Sequence, residues 1–144
     1  MASFSHSVAI PRPPAEVFPW LLDEDKVPRW TGQLKKYERL GGGELGNGAR
    51  VRQVLEVSGR TIDVELEITA YDPPSGAQTQ FETNGISVVN SYALEASGGG
   101  TRLTQSVEAK PSGFTARMLV PVIQPRLEQK LTEDLERLRE ELGG

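Results

Sequence analysis

At 144 residues the chain can form one domain with a core of its own, but it is too short for a nucleotide domain joined to a separate substrate domain. Its 16 basic and 20 acidic residues leave a formal charge of −4 with the bases scattered, which argues against nucleic acid as a partner. No cysteine is present, so disulfides, thiolate metal sites and cysteine nucleophiles are excluded.

The first residues, MASFSHSVAIPRPP, have neither a basic start nor an apolar run, and no stretch approaches about 18 apolar residues. No membrane span and a cytoplasmic location are therefore expected. Residues 3 to 10 alternate, with Phe4, His6, Val8 and Ile10 on one face, as a half-buried strand does. Pro13 and Pro14 then suit a helix start, and the apolar run to Leu22 predicts a short helix kinked at Pro19, which has no N–H to donate. A brief helical turn is expected within 23–32.

From Lys35 onward the pattern is that of strands, at about 35–40, 49–58, 60–71, 78–84, 86–96 and 101–110, making seven in all. In RTIDVELEITAYD, Ile62, Val64, Leu66, Ile68 and Ala70 form one face, while Asp63, Glu65 and Glu67 point outward. Ser58-Gly59, Pro73-Pro74-Ser75-Gly76, Asn84-Gly85 and Ser97 to Gly100 carry turn chemistry, so antiparallel hairpins are predicted. The segment GGGELGNG matches G-x-G-x-x-G at residues 41 to 46, yet it leads into the β-branched stretch Ala49 to Val57 and not into a helix. A phosphate cradle needs a helix N-terminus, so these glycines are expected to link two strands.

The chain closes with a predicted helix from about Ser112 to Leu142. Leu127, Leu131, Leu135, Leu138 and Leu142 form an apolar stripe on it, which extends backward to Val120 and Gln124. Pro121 and Pro125 each remove a helix hydrogen bond, so the upper half is expected to be bent or broken. Glu133, Asp134 and Glu140 are expected on solvated surface. The stripe is expected to pack on the sheet, with contact to a second copy as the alternative, so a monomer or a homodimer is anticipated.

These elements predict a single α+β domain over residues 1–144, a curved seven-stranded antiparallel sheet round a long C-terminal helix, with two short helices after the first strand. The order of Pro14-Ala15-Glu16-Val17-Phe18, Val27-Pro28-Arg29-Trp30, Gly46-Asn47-Gly48-Ala49-Arg50, Gly100-Thr101-Arg102-Leu103-Thr104 and a terminal helix resembles the START-like helix-grip (SRPBCC) superfamily. The resemblance is to its polyketide cyclase/dehydrase-type branch and covers Phe4 to Leu142. It implies an interior cavity between sheet and helix, used in the family for lipids, sterols, polyketides and other apolar small molecules.

Strand phase puts His6, Gln53, Asn90 and Gln105 on otherwise apolar faces, with Gln124 on the helix, whereas a close-packed core avoids unpartnered amides at about 1 to 3 kcal/mol each. Val64, Leu66, Phe81, Val88, Tyr92, Leu119, Ile123 and Leu127 are expected to join them in lining a ligand cavity. The alternative is wetting at strand ends or ordinary core. Trp30 is expected near the mouth by family comparison, or else in packing of the short helices; packing is expected for Trp20. His6 and Tyr92 offer at most a weak proton-transfer couple.

No carboxylate pair, serine-histidine-acid set or histidine cluster is expected at inward positions, so no cofactor or metal is anticipated. The expected partner is a small hydrophobic or amphipathic ligand, carried or sensed. A cyclase, aromatase or dehydratase activity and a co-chaperone-like interaction domain are the alternatives.

Overall fold

The computed structural model describes residues 2–41, 44–57 and 59–144; Gly42 and Gly43 of the glycine run and Ser58 of the Ser58-Gly59 turn lie outside them. Strand β1 (Ala2–Ile10) is followed by α1 (Pro14–Val17), α2 (Pro19–Leu22) and a 3-10 turn at Val27–Arg29. Strands β2 (Leu34–Leu40), β3 (Arg50–Val57), β4 (Arg60–Asp72), β5 (Gly76–Thr83), β6 (Ile86–Ser97) and β7 (Gly100–Pro111) come next, and α3 (Phe114–Glu141) closes the chain. All seven strands make one antiparallel sheet in the order β1-β7-β6-β5-β4-β3-β2.

β2 to β7 form a meander closed by short reversals. Asn84 and Gly85, at φ 50° and 75°, supply the left-handed pair that a two-residue hairpin loop requires. The non-local pairing is β1 with β7, from Ala2↔Ala109 to Ile10↔Thr101. Gly100 sits where a Cβ would collide with the Ile10 carbonyl, so that junction needs a residue without a side chain. Between β1 and β2 the chain crosses to the opposite edge through the short helices. Phe18 N–H still bonds the Pro14 carbonyl at 2.9 Å, but Pro19 has no N–H, so the expected kink divides one helix into two.

Along β4 the apolar alternation holds from Ile62 to Ile68. The outward acids pair across the strands, Arg52 with Asp63 at 2.7 Å and Arg50 with Glu65 at 2.5 Å, and such exposed pairs add little stability. Ala70 departs from its expected inward place: pairing slips between Ile68 and Ala70, turning Ala70 to solvent and bringing Tyr71 edge-on to Phe18 at 5.4 Å.

Of the expected bend or break, the break does not occur: α3 runs unbroken through Pro121 and Pro125. Both prolines are exposed, as is Arg117; the carbonyls of Arg117 and Pro121 lose the proline N–H as donor, and at such positions water can take its place. The leucine stripe grades along the helix. Leu135, Leu138 and Leu142 are buried with Val8, Ile10, Leu21, Trp30 and Leu103, whereas Leu127 and Leu131 are only half-buried.

Asp134, expected on the surface, is 3% exposed. Its carboxylate accepts the Gly32 N–H at 2.9 Å, Lys130 Nζ at 2.5 Å and Arg137 Nη1 at 3.0 Å, while Arg137 Nη1 also donates to the Trp30 carbonyl at 2.9 Å. Arg29 with Glu141, and Arg12 Nε donating to the Leu142 carbonyl at 3.2 Å, add further ties. The short-helix segment and the C-terminal half of α3 are thereby held as one unit.

Asp134→Ala should lower unfolding free energy by about 3 kcal/mol or more in urea melts, because it strands a buried cation and a backbone N–H. Pro121→Ala should instead raise it by about 1 to 2 kcal/mol, the recovered helix propensity less the added freedom of the unfolded chain.

Candidate functional site

Residues paired across an antiparallel ladder share a face, so the register identifies what the concave side presents. In β1, β7, β6 and β5, His6 pairs with Gln105, Gln105 with Tyr92, and Asn90 with Thr79. On one side of this polar belt lies an apolar cluster with Val8, Leu103, Leu94, Ala77 and Ile68. On the other lies a cluster of Ile86, Val88, Val107 and Ala116, joined by Phe4, Val120 and Leu131. A third cluster of Val27, Tyr37, Val51 and Leu66 sits toward β2 and β3, and Phe81 touches both it and the second.

The belt is built round Gln105, which is 2% exposed. Its Nε2 donates to Asn90 Oδ1 at 2.9 Å and lies 3.5 Å from the Tyr92 hydroxyl, while its Oε1 is buried with no hydrogen-bond partner. A buried amide acceptor left unpaired costs about 1 to 3 kcal/mol, which a bound donor would recover. Burial pushes the Tyr92 phenol up to about 12; the Asn90 amide works against this and the negative Asp134 adds to it. Tyr92 is therefore a protonated donor at neutral pH. Tyr37, whose hydroxyl donates to the Leu22 carbonyl at 3.0 Å, is raised in the same direction, by burial first and then by the charge of Tyr92.

The other anticipated residues are spread over the sheet and α3. His6 adjoins Gln105 in register, but its Nε2 lies 3.3 Å from Glu136 Oε2 on α3. That contact, ahead of Arg139, holds the Glu136 carboxyl below its usual range. Gln53 is half-buried on β3, opposite Tyr37 and Val64, and three strands separate it from Gln105. Val64, Leu66 and Val88 are buried, and Phe81 is half-buried. Leu119, Ile123, Gln124 and Leu127 are half-buried along the upper part of α3, which lies chiefly along β1 and β7. Trp30 is 4% exposed in the first cluster with Nε1–H donating to the Trp20 carbonyl at 2.8 Å, a packing position between short helices and sheet. Trp20 is half-buried, with the Lys26 and Arg29 side chains over its ring.

Burial of the inner face is uneven. Leu34, Leu55, Ile62 and Phe81, on β2 to β5, keep partial exposure, as do Leu119, Ile123 and Leu127 of α3. Two surface crevices occur elsewhere. One of about 410 Å³ lies at the short-helix end between Phe18, Leu22, Leu45, Tyr71 and Pro74, and one of about 390 Å³ lies on the outer face by Ser5, Gln78, Ser91 and Ser106. Neither includes any residue anticipated for the ligand cavity.

Sequence reasoning missed several polar members of this face. Thr79 is in phase with Phe81, and Arg39 with Tyr37, so alternation alone could have found them. Arg39 pairs with inward Val51, and its Nε is buried without a partner. Asp134 gave a weaker signal, Lys130 and Arg137 at one-turn spacing on either side.

A curved antiparallel sheet with a single long helix along its concave side defines the class as a helix-grip α+β protein. Within that class, the chain belongs to the polyketide cyclase / dehydrase and lipid transport family, whose model matches residues 1–143. No curated protein matches the sequence. Solved structures share the fold: Ara h 8.0201 is 21% identical with a TM-score of 0.75 over 98% of this chain and 97% of that one. TTHA0849 from Thermus thermophilus is 16% identical with a TM-score of 0.81 over 98% and 97%. DR_A0006 from Deinococcus radiodurans is 20% identical with a TM-score of 0.68 over 98% and 96%.

The raised Tyr92 phenol gives a signed pH dependence. Its stabilisation is complete below the unfolded value near 10.0 and is lost as pH rises through about 12. Thermal unfolding at pH 8 and pH 11.5 should therefore show a smaller alkaline loss for Tyr92→Phe than for wild type, by roughly 2 kcal/mol.

Proposed function

We propose that the protein binds a small amphipathic molecule between the concave sheet face and the upper half of α3, as a carrier or sensor. The observation that carries this reading is the buried, unpartnered Oε1 of Gln105 between two apolar clusters. A hydroxyl or other donor at the polar end of the ligand would pair with it, beside Asn90 and Tyr92. The apolar body would lie against Phe81, Leu119, Ile123 and Leu127, whose partial exposure leaves apolar surface to cover. The family description, which includes lipid transport, supports the same ligand class.

Carriage or sensing is favoured over the cyclase and dehydratase activities that the family description also names. His6 of the belt is engaged with Glu136, and the groups round Gln105 are neutral amides, the Thr79 hydroxyl and a phenol held protonated, which orient a ligand better than they move protons. The two carboxylates nearby are occupied, Asp134 by Lys130 and Arg137, and Glu136 by His6 and Arg139.

Native mass spectrometry of gently purified protein should reveal a co-purifying lipid-like molecule. Dodecanol should displace anilinonaphthalene sulfonate from the wild type, and Gln105→Leu should weaken dodecanol by about tenfold while changing stability by no more than about 1 kcal/mol. Equal dodecanol affinity in the variant, or a wild-type protein that takes up neither probe, removes the reading.

A further inference from the structure

Among the described residues, the large apolar side chains that stand exposed are Phe114 at 77%, Met118 at 62% and Val122 at 69%. All three lie on the first half of α3 at four-residue spacing, so they form one stripe along its outer side. Exposed Pro121 and Pro125 fall within the stripe, and at about 100° per residue Arg117 and Arg126 fall on its opposite borders. The inner side of the same segment carries Ala116, Leu119, Val120 and Ile123. This half-helix is thus apolar nearly all round, although it lies at the surface, an arrangement that leaves one apolar face without a partner.

The charge around the stripe selects what covers it. Between Glu108 and Glu128 the sequence has no acid, whereas Lys110, Arg117 and Arg126 are exposed, and none of the three joins an ion pair among the described residues. The acids of α3 sit in its other half, at Glu128, Glu133, Asp134, Glu136, Glu140 and Glu141. A net charge of −4 would repel an anionic surface, but screening over about 8 to 10 Å lets the local basic border prevail at contact. Two copies meeting symmetrically through the stripe would gather four arginines at one interface, with no acid on this segment to pair them. The carbonyls of Arg117 and Pro121, freed by the two prolines, need water or a donor, which the headgroup layer supplies and a dry interface does not.

We propose that the first half of α3 is an interfacial docking face for an anionic lipid bilayer. Phe114, Met118 and Val122 reach the headgroup and acyl boundary, and Arg117 and Arg126 meet lipid phosphates. The inference rests on the exposed stripe and stands whatever the interior binds.

Flotation with phosphatidylcholine vesicles containing phosphatidylglycerol tests it. Wild type should float with them at low salt, less at high salt, and little with phosphatidylcholine alone. The pair Phe114→Ser and Met118→Gln should reduce partition about tenfold. Arg117→Gln and Arg126→Gln should reduce it about fivefold each, only on the anionic vesicles. These positions are exposed, so the wild-type thermal midpoint should persist. Should the serine and glutamine pair misfold, the arginine variants and a blue shift of Phe114→Trp emission on anionic vesicles decide the matter. Failure of wild type to float, wild-type partition by the variants, or a dimer in solution that the Phe114→Ser and Met118→Gln pair dissociates would each overturn the proposal.

Discussion

A single helix is too narrow for the sheet it packs on. Seven strands about 4.8 Å apart span close to 29 Å, while an α-helix with its side chains is about 10 to 12 Å across. The concave face must therefore curl, borrow other elements or leave apolar surface partly open. This chain does all three: the sheet is a six-stranded meander whose last strand, β7, pairs back to β1, the short helices fill one end, and the strands farthest from α3 keep half-exposed leucine, isoleucine and phenylalanine side chains.

The buried carboxylate of Asp134 decides which half of α3 is fastened. It gathers a cation one turn before it, a cation one turn after it and the backbone N–H of Gly32, and Arg137 carries the linkage on to Trp30. Burying a charge is tolerable when its lone pairs are so fully used. Leu135, Leu138 and Leu142 seal the same half by apolar packing. Nothing comparable among the described residues ties down the first half, where Ala116 and Val120 provide the contact and flanking residues remain partly exposed. A helix fixed at one end and lightly packed at the other is suited to a fold whose family handles apolar molecules.

The polar belt is a consequence of the same geometry. Tight packing would leave no place for the carbonyl oxygen of Gln105 without a donor, and apolar side chains of similar size would have met the needs of a closed core. Its position between two clusters, with Asn90 and a protonated Tyr92 beside it, gives a spot of directional hydrogen bonding flanked by hydrocarbon. In the proposed reading such a spot would orient a ligand and the surrounding hydrocarbon would supply affinity.

Much of this was legible in the amino-acid order. Period-two alternation located every strand to within a few residues, the Pro19 division comes from a missing N–H, and the phases of 3–10, 86–96 and 101–110 put His6, Asn90 and Gln105 on the inner face. These are local rules, acting over a turn or a ladder, and so they can be read without a partner in view. Tertiary structure decided the rest. A slipped register turned Ala70 outward, solvent access to two proline positions let α3 continue, and the approach of Gly32 changed Asp134 from an apparent surface acid into a buried anchor. It also decided that Gln53 lies far from Gln105, and that Trp30 packs between helices and sheet. Each outcome depends on which distant segment arrives at a given face, and neither composition nor periodicity carries that information.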